Sequence, residues 1–225
     1  MIATVEERDP GTTRLVIWAG IVALLSLVSF VGNLTTEPEE DFIYQWALGI
    51  GTIVQDGILL LVVLLLARPW YQELLAWRRP ISWKRAAGLG AALIAGIYVL
   101  AIVLSPLFEP GEEQGLVPSE LDGDRIAPLV FNSFLIVTFV PLVEELMFRG
   151  VGLSLLRRYG DRVAIFVSGF AFACVHGLVE GLVVFTAFGA GLAWLRLRTS
   201  SIWPCVAVHA IFNGVALTVA LLVAD

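Results

Sequence analysis

The 225-residue chain has only two histidines, His176 and His209, and both lie inside long apolar runs. A third apolar run holds adjacent carboxylates, Glu144 and Glu145, with Arg149 one helical turn further on. Ionisable groups in a bilayer core are costly, so they are rare there and face a wet interior or one another. With Asn213, these residues offer carboxylates and imidazoles for proton transfer and an amide to donate hydrogen bonds. Together they make up most of a hydrolytic centre.

Helical spacing assigns them different tasks. Glu145 and Arg149 are i and i+4, so they can pair along one face, and such a pair keeps a buried carboxylate ionised. Glu144 points about 100° away from its neighbour and remains available. His209 and Asn213 are also i and i+4 and leave one face together, as a developing oxyanion would require. Two plainer readings stand beside these. Glu144, Glu145 and Arg149 could merely end a span at the membrane surface, and a lone core histidine is more often a satisfied structural group.

Depth argues against the first of these. From Glu144 to Arg157 is 13 positions, or about 20 Å of helix. From Arg162 to His176 is 14 positions, again about 20 Å, and from Arg198 to His209 is 11, about 16 Å. Three separate estimates place the polar groups at similar depth from one basic face.

The elements that must carry them are membrane helices. The chain is 58% hydrophobic and 15% charged, against about a quarter charged in an ordinary soluble domain. Apolar runs long enough to cross about 30 Å of hydrocarbon recur throughout. Spans are expected at 15–33, 43–67, 86–107, 130–150, 163–179, 182–196 and 202–223. This is an all-α, polytopic bundle of seven transmembrane helices, or eight if one is split. The first 125 residues carry three spans without a recognised motif, and 126–225 carry the candidate chemistry. A net charge of −6 excludes a basic nucleic-acid surface, so no nucleic-acid partner is expected.

Arg68, Arg78, Arg79, Lys84 and Arg85 make the loop after the second span cytoplasmic by the positive-inside rule. Arg157, Arg158, Arg162, Arg196 and Arg198 return to that side. The segments 34–41 and 108–125, the latter with Glu109, Glu112, Glu113, Glu120, Asp122 and Asp124, fall outside. The N-terminus is therefore cytoplasmic. It lacks the basic region and cleavage site of a signal peptide, so the first span is expected to be retained.

Asp56, about midway along the second span, is either a substrate or proton contact or a structural polar contact. Gly88, Gly90 and Gly96 suggest close packing of the third span. Cys174 and Cys205, without a CxxC motif or partner loops, read as small packing residues.

Glu-Glu-x-x-x-Arg at 144–149, Phe-x-x-x-His at 172–176 and His-x-x-x-Asn at 209–213 together resemble the three motifs of the CAAX protease and bacteriocin-processing family. The type II CAAX prenyl endopeptidases are its best-known members. The match covers roughly 126–216. The resemblance implies an intramembrane endopeptidase with a chamber open to the cytosol. Carried over by motif position, Glu144 and His176 would activate the attacking water, His209 and Asn213 would stabilise the oxyanion, and Glu145 and Arg149 would support the site.

No serine or cysteine nucleophile is well placed, so direct attack by water is the economical chemistry. Zinc held by Glu144, His176 and His209 is the alternative. His-Glu-x-x-His is absent, and the resemblance favours a glutamate-dependent reaction with no cofactor, His209 paired with Asn213 suiting an oxyanion site better than a metal shell. The rival classes are a proton-coupled transporter, which Asp56 would join naturally, and a non-catalytic scaffold of the same fold. The expected partners are the lipid bilayer and a membrane-anchored peptide or protein: a prenylated CAAX end, a bacteriocin leader or another tethered tail. Short loops and a short chain point to a prokaryotic plasma (inner) membrane. The sequence specifies no oligomeric state.

Overall fold

The computed structural model describes residues 11–35, 41–106 and 122–223. The acidic positions Glu109, Glu112, Glu113 and Glu120, and the first ten residues, lie outside them. The described residues form no strand. Five helices make the first half of the order: α1 (Thr12–Thr35), α2 (Trp46–Ala67), the short α3 (Tyr71–Leu75), α4 (Trp83–Leu104) and the long α5 (Gly123–Tyr159). Then come α6 (Asp161–His176), α7 (Leu182–Thr199) and α8 (Trp203–Val223).

Among the described residues, six helices are long and apolar enough to cross a bilayer: α1, α2, α4, α5, α7 and α8. Seven or eight were expected, and the difference falls at 163–179. There, α6 has 16 residues, about 24 Å of rise, short of the roughly 30 Å hydrocarbon thickness. It ends at Gly177, whose φ of +69° turns the chain back into α7. Only glycine enters that left-handed region without strain. A Cβ on Gly177 would also lie 2.6 Å from the Ser29 carbonyl carbon of α1. Gly177→Ala should therefore lower the melting temperature by several degrees in detergent, whereas Gly96→Ala, which meets nothing within 4 Å, should not.

The hairpin of α6 and α7 is closed by glycines that face each other. A Cβ on Gly189 would come within 2.8 Å of the Gly169 Cα, and one on Gly169 would collide with the Ala190 backbone. Small residues permit such contact between membrane helices, where dispersion replaces the hydrophobic drive. The glycines expected to do this in α4 mostly do not: Gly88 and Gly96 face open space, and only Gly90 meets another helix, at Val208. Packing is inside-out relative to a soluble protein. Trp18 and Val22 are the buried residues of α1, while Leu24, Leu27 and Val28 are more than half exposed, as a lipid-facing surface requires.

Charge separates along the bundle. At one end, Arg14 donates to the Arg68 carbonyl (2.8 Å), Arg158 to Thr12 Oγ1 (3.1 Å) and Arg78 to the Ser200 carbonyl (2.8 Å), gathering the arginine-rich loops. At the other end, Arg125 binds Asp41 (2.8 Å) and Asp122 and lies 4.6 Å over the Tyr44 ring. That hydrogen bond holds the Asp122 carboxyl below the usual carboxylate range.

Candidate active site

The α5 helix is not regular. Leu135–Phe139 and Leu146–Gly152 are π-helical, and Val140–Glu145 between them is α-helical. Each π turn takes an extra residue and leaves backbone groups misregistered, a feature concentrated at functional sites. In a bilayer those groups must find protein partners, and three neighbouring elements supply them. The Trp18 indole of α1 donates to the Met147 carbonyl (3.1 Å), and the Ser168 hydroxyl of α6 donates to that of Phe148 (3.0 Å). The Asn213 amide of α8 donates to that of Ile136 (3.0 Å).

The third contact follows from a proline. Val140 N–H bonds the Leu135 carbonyl in the i to i−5 register. The next donor in that register would serve Ile136, but residue 141 is proline and has no N–H. Asn213 fills the gap. One amide proton is thereby committed to the backbone, leaving one for any ligand. Asn213→Ala should accordingly lower thermal stability as well as activity, by about 1–3 kcal/mol for the orphaned, part-buried carbonyl. A purely catalytic amide would leave the melting temperature unchanged.

Between the π turns, both glutamates face the interior. The Glu145 and Arg149 side chains are fully buried and joined by a 2.9 Å hydrogen bond from Arg149 Nη1 to Glu145 Oε1. The same oxygen lies 2.9 Å from His209 Nδ1. An ionised carboxylate only accepts, so Nδ1 carries the proton and His209 Nε2 faces away from Glu145. Nε2 then lies 3.6 Å from Glu144 Oε2. His176 is fixed in the same way: its Nδ1 donates to the Phe172 carbonyl (2.8 Å), and its Nε2 is 3.9 Å from Glu144 Oε1. Glu144 is thus flanked by the two ring nitrogens not already committed. Its side chain and that of His176 are 20% and 22% accessible, while His209 is 3% accessible. The centre has an open side at Glu144 and His176 and a closed side at Glu145, Arg149 and His209.

Aromatic rings hold this arrangement. Phe172 lies under the Arg149 guanidinium (4.3 Å) and contacts both imidazoles, at 4.6 Å for His176 and 5.5 Å for His209. Phe188 packs edge-on to His209 (5.4 Å) and stacks on Phe212 (4.3 Å). A cation over a ring face in a water-poor site gains about 2 kcal/mol. Sequence reasoning gave Phe172 no task beyond its motif position and missed Phe188. The helical spacing of Phe172 ahead of His176 was the available signal.

Five of the six expected residues therefore converge: Glu144, Glu145, Arg149, His176 and His209. Asn213 is one turn from His209 and bound to Ile136. Asp56 is buried in α2, close enough to Glu144 to interact with it electrostatically, and its Oδ2 has no hydrogen-bond partner among the described residues. Cys174 is partly buried and Cys205 buried, and both are free thiols. Cys205 Sγ is spent on the Leu192 carbonyl (3.3 Å). Among the described residues, no three His, Cys, Asp or Glu side chains are arranged to hold a metal ion.

Residues 126–215 match the family model described as type II CAAX prenyl endopeptidase Rce1-like, which bears out the resemblance read from the three motifs. All six expected site residues fall inside that segment. The chain is also 26% identical over 205 residues to the candidate membrane peptidase YdiL of Bacillus subtilis (strain 168), covering 87% of this chain and 81% of that protein. No solved structure matches.

Proposed function

With an Rce1-like segment spanning the whole centre as the premise, we propose that this multi-pass membrane protein is an intramembrane endopeptidase in which Glu144 activates water. The observation that carries the reading is the placement of the Glu144 carboxylate beside two imidazole nitrogens whose partner nitrogens are already engaged. Separations of 3.6 and 3.9 Å exceed a direct hydrogen bond and suit one bridging water oxygen at about 2.8 Å from each group.

That water would donate one proton to Glu144 and one to His176 Nε2, leaving a lone pair directed at a scissile carbonyl. As the carbon–oxygen bond forms, Glu144 takes the water's proton, and the carbonyl electrons move to oxygen. The second Asn213 amide proton donates to this oxyanion, and His209, its Nδ1–H held by Glu145, completes that side of the site. When the carbon–nitrogen bond breaks, the proton held by Glu144 passes to the leaving amine. The products are one carboxylic acid, which then ionises, and one amine.

The substrate is a membrane-anchored peptide or protein, because a site within α5, α6 and α8 is reached by a chain held at the bilayer. The reaction is written without a metal because His209 and Asn213, one turn apart, suit an oxyanion better than a metal shell. Glu144 and the uncommitted Nε2 atoms of His176 and His209 are where zinc would bind if the alternative held. The test uses purified protein in lipid nanodiscs, presented with membrane-tethered peptides. Cleavage should survive dialysis against a strong chelator. Loss of cleavage on chelation, reversed by zinc, would overturn the metal-free reading.

Asp56 favours the transporter as a second reading, because a buried, underused carboxyl beside Glu144 could belong to a proton relay. Under the peptidase reading, Asp56→Asn retains cleavage within a few-fold. Equal loss in Asp56→Asn and Glu144→Gln would favour the relay.

A further inference from the structure

The arginine-rich end of the bundle contains a charge that no described residue neutralises. Arg196, in the last turn of α7, is 6% exposed. Its guanidinium makes no ion pair or hydrogen bond with any described residue, and its Nε is sealed from solvent without a partner. Its charged neighbours repel it. Arg78 and Arg157 both lie within electrostatic range. Arg78 is anchored one turn away through the Ser200 carbonyl (2.8 Å), and Ser200 N–H in turn closes on the Arg196 carbonyl (2.9 Å). The nearby acid, Asp161, is taken by Arg157 at 2.9 Å in an exposed pair. A buried cation without a counter-charge is strongly unfavourable unless an anion arrives from outside.

The surroundings identify the anion's setting. Trp77 packs edge-on against Trp203 (4.6 Å), and Trp194 lies under Arg198 (5.4 Å). Trp77 and Trp83 are 43% and 55% exposed, and Ile81 between them is 83% exposed. Tryptophan clustered beside arginine at helix ends marks the level of lipid headgroups. A planar guanidinium with free N–H groups matches phosphate oxygens.

We propose that Arg196, flanked by Arg78 and Arg157, binds the phosphate of an anionic lipid headgroup at the basic face of the bundle. The site is separate from the Glu144 centre and does not depend on the peptidase reading. The bound phosphate completes the junction of α7 and α8, and so steadies the start of the helix that carries His209.

The test is binding and thermal unfolding of the full purified chain in detergent, with added phosphatidylglycerol, phosphatidylcholine or inorganic phosphate. Phosphatidylglycerol should raise the melting temperature and be retained in native mass spectra, with phosphatidylcholine much weaker. Arg196→Met should weaken that binding at least about fivefold, the share of one arginine near an anionic surface. Arg78→Gln and Arg157→Gln, both at exposed positions, should each weaken it as well, and they keep the test alive if Arg196→Met fails to fold. Lys84→Gln, an exposed charge on the same loop, should leave it unchanged. Equal response to both lipids would overturn the proposal. Protection by inorganic phosphate alone would overturn the lipid as its source and assign the site to a soluble phosphate.

Discussion

Glutamine in place of Glu144 is expected to reduce peptide hydrolysis by about 10³-fold, within the range a positioned base contributes, while the protein still folds. The two expectations come from the same geometry. The Glu144 contacts to His209 and His176, at 3.6 and 3.9 Å, are too long for hydrogen bonds, and its Oε2 has no partner among the described residues. An amide of nearly the same shape therefore breaks no structural bond, but it cannot accept a proton from water. Initial rates on a membrane-tethered peptide, with melting temperature measured on the same preparation, separate the two effects. Glu144→Asp, which withdraws the carboxyl by one methylene, should fall between wild type and Glu144→Gln.

The largest loss of stability should come from Arg149→Leu. Arg149 and Glu145 are both fully buried, and the guanidinium also rests on the Phe172 ring. Removing one partner of a buried pair typically costs about 3–5 kcal/mol, because the remaining charge is stranded. The remaining charge here is Glu145, supported only by the His209 ring proton. Arg149→Lys should not rescue it, since an ammonium cannot lie flat on Phe172 while reaching Oε1. Combining Glu145→Leu with Arg149→Leu should be less destabilising than the sum of the single changes, because no buried charge is then left alone. Thermal unfolding of the four proteins measures this coupling directly. The double variant should remain inactive even where it folds, since His209 has lost the carboxylate that fixes its ring.

Those two residues also mark how much of the centre is legible in the sequence. The pairing of Glu145 with Arg149 follows from their spacing, and the availability of Glu144 follows from the 100° turn between neighbours. The bond from His209 Nδ1 to Glu145 does not, because it joins positions 64 residues apart and nothing local encodes it. Asn213 is the instructive case. Its place beside His209 suggests an oxyanion donor, yet the amide also replaces the hydrogen bond that Pro141 withholds from Ile136. Pro141 is visible in the sequence, but which carbonyl it orphans depends on the π register, and apolar periodicity does not reveal that register.

The fold was readable at the level of apolar helices and basic loops, and less so in their number. The run at 163–179 looks like a full span by composition, but Gly177 ends the helix at His176 and folds it onto α7. The glycines of α4 misled for a related reason. Small residues permit close packing without requiring it, and whether a neighbour approaches is decided by the rest of the bundle. Gly169 and Gly189, which do bring two helices together, stand in a stretch where the motif residues drew attention instead.

The most direct measurement is quantitative terminal peptidomics of membranes carrying the wild-type protein or Glu144→Gln at equal abundance. The account predicts new peptide termini in the wild-type membranes alone, clustered in membrane-anchored proteins or peptides, which would also identify the substrate. Identical termini in both, with Glu144→Gln still complementing a deletion strain, would contradict catalysis by Glu144.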